Sequence, residues 1–167
     1  AQTKLNLELF PELINSPIIE NYAPEPNEPY RISTPTNSEQ ISNCAKKYYD
    51  RKKVEGVREK GIKSDISMID EFVEIVGDIS FASITKKEVS HYIDVQTKLP
   101  SNRLKKVGYR DLTIKEVLEL NLTQKETQTP QNINKRIGKL SVFANWGVRQ
   151  GLIDKNPFSG MKFLLKK

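Results

Sequence analysis

The stretch from Thr129 to Phe158 constrains this chain more than any other, because it holds one helix with a marked start, a marked stop and two unlike faces. Thr129 can cap it through its hydroxyl, which accepts a hydrogen bond from an orphan backbone N–H. Pro130 suits the first helical position, where no N–H is required. Gly151 is a candidate end, and Pro157 forbids continuation. At 100° per residue, Ile133, Ile137, Leu140, Ala144 and Val148 share one side. Gln128, Gln131, Lys135, Lys139 and Arg149 share the other, with Asn132 at the edge. An apolar stripe opposite amides and cations suits a helix that buries one face and turns the other to phosphates and base edges.

The rest of the chain reads as further helices behind an extended arm. Residues 1–37 hold six of the nine prolines, a spacing that blocks helices and central strands. The arm also carries apolar residues, and Leu5–Leu9 alternates in a way that could pair as a short strand. A first helix is expected from Ser38 to about Val57, capped by Ser38, with Lys46, Lys47, Arg51, Lys52 and Lys53 giving it a basic side. Gly61 breaks the pattern. A second helix is expected from Ser64, as its cap, to Ile75, with Gly77-Asp78 ending it. Thr85 and Glu88 form a capping box for a third helix. Ser101–Asp111 is a basic loop, Thr113–Leu120 a short fourth helix, and Asn121–Gln128 a polar connection into the long helix. The expected fold class is all-α: a small bundle of four to five helices with an extended N-terminal arm. The expected division is the arm at 1–37, a helical domain at 38–160, and the start of a linker at 161–167.

Charge and chemistry narrow the function. The net charge is +6. Residues 1–37 contribute −3, from Lys4 and Arg31 against five glutamates, so the remainder carries +9. A basic folded part favours an acidic partner such as nucleic acid. Cys44 is the only cysteine, so an intrachain disulfide is excluded, and it reads as a small half-buried helix residue. His91 is the only histidine and reads as a structural residue. No metal-ligand spacing, phosphate loop or nucleophile elbow occurs. No catalytic residue, metal or other cofactor is therefore expected, nor a small-molecule substrate. No apolar run approaches the ~20 residues that cross a bilayer, no signal peptide is visible, and a cytoplasmic setting with no membrane partner is expected.

Three cationic clusters are the candidate DNA-binding residues. Lys60, Lys63 and Ser64 stand at the expected start of the second helix, where free backbone N–H groups favour a phosphate. Arg103, Lys105, Lys106 and Arg110 stand on the basic loop. Gln128, Thr129, Gln131, Asn132, Lys135 and Lys139 stand at the front of the long helix. For each cluster the competing explanation is a solvated charged face. Trp146 falls on the same helical sector as Lys135 and Lys139, and packing against the arm or the first helix is the simpler account of it than contact with DNA.

The segments Thr129-Pro130-Gln131-Asn132-Ile133-Asn134-Lys135, Phe143-Ala144-Asn145-Trp146 and Asn156-Pro157-Phe158, preceded in order by Phe72…Gly77-Asp78 and Ile84-Thr85, resemble the core-binding domain of phage-integrase-type tyrosine recombinases. The resemblance covers roughly residues 38–160. Asn132 stands where that family usually has Thr. Gly147 stands where it usually has Ala, a change expected only to loosen a packing position. The resemblance implies a SAM-like helical domain whose second and last helices enter the major groove of double-stranded DNA. It implies DNA integration and recombination by the whole protein, partnership with other recombinase protomers, and a bacterial or phage-derived origin. The family's nucleophilic tyrosine and its His-x-x-Arg segment belong to a C-terminal domain, and no His-x-x-Arg occurs in this chain. The chain is accordingly read as a fragment that clamps DNA and performs no chemistry. Two alternatives remain: a helical protein–protein interaction module, and a stand-alone DNA-binding regulator.

Overall fold

The computed structural model describes residues 39–165. The expected arm, its candidate strand and the Ser38 cap lie outside those residues. Within them lie five α-helices: α1 (Ile41–Val54), α2 (Glu59–Val76), α3 (Lys86–Gln96), α4 (Ile114–Glu119) and α5 (Pro130–Arg149). Two short 3-10 turns, Phe81–Ser83 and Arg103–Lys105, interrupt the connections. Two isolated bridges, Gln40 with Ser80 and Pro100 with Thr127, are the only extended pairings among the described residues. The described residues thus form a small all-helical bundle. No helix among the described residues is long and apolar enough to cross a membrane.

Local signals set most helix ends. Thr85 and Glu88 make the reciprocal box that opens α3, and Thr113 with Glu116 makes a second one that opens α4. At α5 the Thr129 hydroxyl accepts from the Asn132 N–H at 3.3 Å, and Pro130 occupies the first turn. Gly77 and Gly151 hold positive φ, 87° and 69°, which glycine adopts freely, where α2 ends and just after α5.

Two expected boundaries move. The cap of α1 is Gln40, which makes no side-chain bond to the helix, and α1 stops at Val54. More consequentially, α2 starts at Glu59, five residues before Ser64, and runs straight through Gly61. The Arg58 carbonyl accepts from both Gly61 N–H (2.8 Å) and Ile62 N–H (3.2 Å), so the first turn is closed. A glycine costs a helix about 1 kcal/mol, whereas burying Ile62, which is 1 % exposed, returns about 1.5–3 kcal/mol. Tertiary burial therefore outweighs the local break.

Helix α2 packs against α1, α3 and α5, and α1 also packs on α5. Ile69, Phe72, Tyr92, Ile133, Ile137, Leu140 and Ala144 meet in the core. An aromatic cluster fills one end of it. Phe143 lies 4.8 Å from Phe81, 5.3 Å from Tyr48 and 5.8 Å from Trp146 (ring centroids), and Trp146 meets Tyr48 edge-on at 5.6 Å. Trp146 is thus a core residue against the first helix. A smaller cluster of Leu99, Ile114 and Val117 seats α4.

Gly147 has a stricter role than loosening a packing position. A Cβ built there would lie 2.2 Å and 2.8 Å from two ring carbons of Phe81. The glycine is what lets the Phe81 ring press on the α5 backbone.

After α5 the chain is pinned by side-chain amides. Asn156 donates to the Ser141 carbonyl (3.1 Å) and hydroxyl (2.8 Å) and to Asn145 Oδ1 (2.9 Å), and accepts from the Phe158 N–H (2.9 Å). Phe158 is thereby buried against Phe72. Further on, Asn134 exchanges two hydrogen bonds with the backbone of Phe163, at 2.9 Å and 2.8 Å, so residues after 160 return along α5.

Candidate nucleic-acid interface

The polar side of α2 organises this surface. Ser64, Ser67, Glu71 and Glu74 recur at three- and four-residue spacing, opposite Ile69 and Phe72. Ser64, Ser67 and Glu71 on that side face the front of α5 and the basic loop, while Glu74 is exposed. Across the seam, Lys139 Nζ donates to Ser64 Oγ (3.1 Å) and Asp65 Oδ1 (2.5 Å). One turn earlier on α5, Arg136 forms an ion pair with Glu71, donates to Gln128 Oε1 at 2.9 Å and touches Met68 Sδ. Gln128 in turn donates to Gln96 on α3. Four side chains from α2, α3, α5 and its entry thus form one polar chain at the edge of the core.

Several candidate residues are placed otherwise than expected. Gln128 is 7 % exposed and engaged on both sides, so it orders the entry to α5 instead of facing outward. Arg103 is 6 % exposed: its guanidinium donates to the Leu112 carbonyl (2.8 Å) and to Glu74 (3.0 Å), and Glu74 also accepts from the Ile114 N–H (2.9 Å) at the start of α4. It is a staple between α2, the loop and α4. Ser64 lies within the second turn of α2, so the expected bouquet of free N–H groups is not there; the actual first turn carries Glu59, which pairs with Lys63 at 3.0 Å. Lys139, expected to be exposed, is half-buried in its bridge to α2. The Thr129 hydroxyl is committed to its cap.

The remaining candidates face solvent. Lys60, Lys105, Lys106, Arg110, Gln131 and Lys135 are exposed, and Asn132 is half-exposed. No carboxylate pairs with Lys135 or Lys105 among the described residues. Arg110 pairs with its neighbour Asp111 at 3.2 Å. The loop, the middle of α2 and the front of α5 converge on a cleft of about 290 Å³, with Arg136 and Glu71 in its wall and Lys105 at its rim.

Arg136, Glu71 and Gln96 were not singled out in the sequence. The available signal was Glu71 itself: a carboxylate beside Phe72 in a helix with an apolar stripe, which requires a cation if its side of the helix is covered.

Cys44 and His91 take no part. Burial pushes the Cys44 thiol up to about 12, and the Glu39 carboxylate beside it adds to the rise. His91 lies exposed on α3, away from this face, beside Ile75 and Val95. Burial likewise raises the Tyr48 hydroxyl to about 12, helped by Asp65, and raises that of Tyr92 further still. Neither tyrosine has the lowered pKa that an activated nucleophile requires.

Against known proteins, the chain matches no family model, no curated protein and no solved structure.

Proposed function

We propose that residues 38–160 form a DNA-binding domain of the kind that phage-integrase-type tyrosine recombinases use to grip duplex DNA. The observation that carries the reading is the exposed polar front of α5: Lys135, which pairs with no carboxylate among the described residues, and Gln131 stand one turn apart, on a helix whose start is capped and whose other face is locked in the core. Lys105 on the loop lines one cleft with Arg136 of α5, and Lys106 beside it in the chain is exposed. The ordered sequence segments that resemble that family support the same reading. Affinity arises chiefly from lysines displacing counterions along the phosphate backbone. Base discrimination falls to Gln131 and Asn132, whose amides suit adenine edges. Strand cleavage and rejoining belong to a catalytic domain outside these residues, and other protomers join in the assembled recombinase.

The test is fluorescence anisotropy with a short duplex, for the parent and for Lys135→Ala. The parent is expected to bind with Kd of about 10⁻⁴–10⁻⁶ M near physiological salt. Losing one phosphate contact lowers the slope of log K against log salt by about 0.9. Absence of binding at low salt, or a variant that tracks the parent across all salt concentrations, removes α5 from the interface and favours a protein-binding module.

A further inference from the structure

The cleft between α2, the basic loop and α5 is more than part of a charged face. Its walls bring together Ser64, Ser67, Asn102, Arg103, Lys105 and Arg136, with Glu71 as the one carboxylate among them. Glu74, paired with Arg103 at 3.0 Å, is a second carboxylate beside the wall, so three cations face two anions and Lys105 supplies the net positive charge. Two of the three are held rigidly: Arg103 by Glu74 and the Leu112 carbonyl, Arg136 by Glu71 and Gln128. Arg103 is more than nine-tenths buried, and its Nε is without a hydrogen-bond partner. The third cation, Lys105, is exposed at the rim. Asn102 adopts the left-handed conformation (φ 56°, ψ 37°), which only a few non-glycine residues take, and which turns the loop into the cleft wall. Fixed guanidinium groups, hydroxyls and a mobile ammonium are the donors that tetrahedral oxyanions use. A water occupies about 30 Å³ in the liquid, so about 290 Å³ admits a phosphate group with part of its hydration.

We infer that this cleft is a discrete site for a single phosphate group, either one phosphodiester of a nucleic-acid backbone or a free phosphate. It differs from the lysines around it in being preformed. Exposed lysines attract any polyanion, whereas a pocket with two anchored arginines selects one group at one position. The inference goes beyond DNA binding by α5, since a free phosphate would satisfy the same donors.

The experiment is a titration of the 167-residue chain with sodium phosphate, balanced with sodium chloride at constant ionic strength, followed by amide NMR shifts. Saturable shifts are expected at Ser67, Asn102 and Lys105, with none at α4. Ser67→Glu places a carboxylate in the cleft on a helical position and should abolish the response. Lys105→Ala, at the exposed rim, should weaken saturation roughly tenfold, as expected for one charge-assisted hydrogen bond, with the melting curve unchanged; it serves if Ser67→Glu fails to fold. A duplex is then added to the phosphate-loaded protein. Competition at the same amides identifies the ligand as a backbone phosphate. Saturation by phosphate without competition supports the cleft as a free-phosphate site and counts against DNA on this face. Shifts that rise linearly and evenly over the surface, or that persist in both variants, overturn the site. No saturable phosphate response, together with duplex binding that leaves these amides unmoved, also overturns it, while leaving DNA binding by α5 intact.

Discussion

Replacing Gly147 by alanine sets a local preference against a tertiary contact, with opposite signs. In the interior of α5, helix propensity alone makes Gly→Ala stabilising by about 1 kcal/mol. The added methyl would stand 2.2 Å from one carbon of the Phe81 ring and 2.8 Å from the next. Ordinary contact begins near 3.4 Å, so the ring must withdraw by 1.2 Å (3.4 − 2.2). It has little room. Phe81 is 1 % exposed, lies 4.8 Å from Phe143, and sits on a turn whose N–H bonds the Glu39 carbonyl at 2.8 Å. Overpacking of this kind costs about 1–3 kcal/mol, and a displaced ring between two fixed elements belongs at the upper end. The expected net loss is about 2 kcal/mol, a fall in Tm of roughly 8 °C for a domain of this size. Urea denaturation monitored by circular dichroism measures it. Gly138→Ala, one helix face away, is the control: its methyl would come no closer than 3.5 Å to a flexible lysine end, so it should gain about 0.5–1 kcal/mol. Adding Phe81→Leu to Gly147→Ala should cost about 1–2 kcal/mol less than the sum of the single changes, because the two residues collide. A Gly147→Ala variant as stable as the parent would refute the reasoning and make the close approach irrelevant to stability.

Other consequences can be measured with the same preparations. Arg136→Met leaves Glu71 as an unpaired carboxylate, so it should cost about 3–5 kcal/mol in chemical denaturation, most of it recovered in a Glu71→Met, Arg136→Met pair; equal losses in the single and the pair would disprove the coupling. The Thr85 hydroxyl and N–H hold Glu88 below its ordinary 4.5, and Thr113 does the same for Glu116. A lowered folded value means that the stabilisation is present above about 4.5 and is lost as pH falls through the folded value. The parent Tm should therefore drop in acid, and Glu88→Gln, which cannot titrate, should show a smaller drop; identical acid profiles would argue against the box. Cys44 should resist aromatic disulfide reagents in the native state and react only as the chain unfolds, since its thiol is buried and raised to about 12. Rapid native labelling would place it elsewhere than in the α1–core contact.

What the sequence by itself determined is whatever depends on neighbours within a few residues. Thr85-x-x-Glu88, Thr129-Pro130, Gly77 and Gly151 act through bonds and dihedrals inside one turn, so α3 and α5 stand where those residues put them. The apolar stripe Ile133, Ile137, Leu140 and Ala144 lies in the core because one covered face is what a helix of that period requires. Tertiary structure decided the rest. Gly61 does not end a helix once Ile62 has a core to enter. Gln128 and Arg103 look like surface donors in a list of polar residues, yet both are buried, because α3 and Glu74 on α2 provide partners 32 and 29 residues away. Gly147 carries no local sign that a phenylalanine 66 positions earlier occupies the space of its missing side chain (147 − 81). Periodicity reports which face of a helix is apolar. It does not report that part of the polar face of α2 is covered as well, and that second coverage makes the cleft: the donors converge there only because α2, the loop and α5 meet in space.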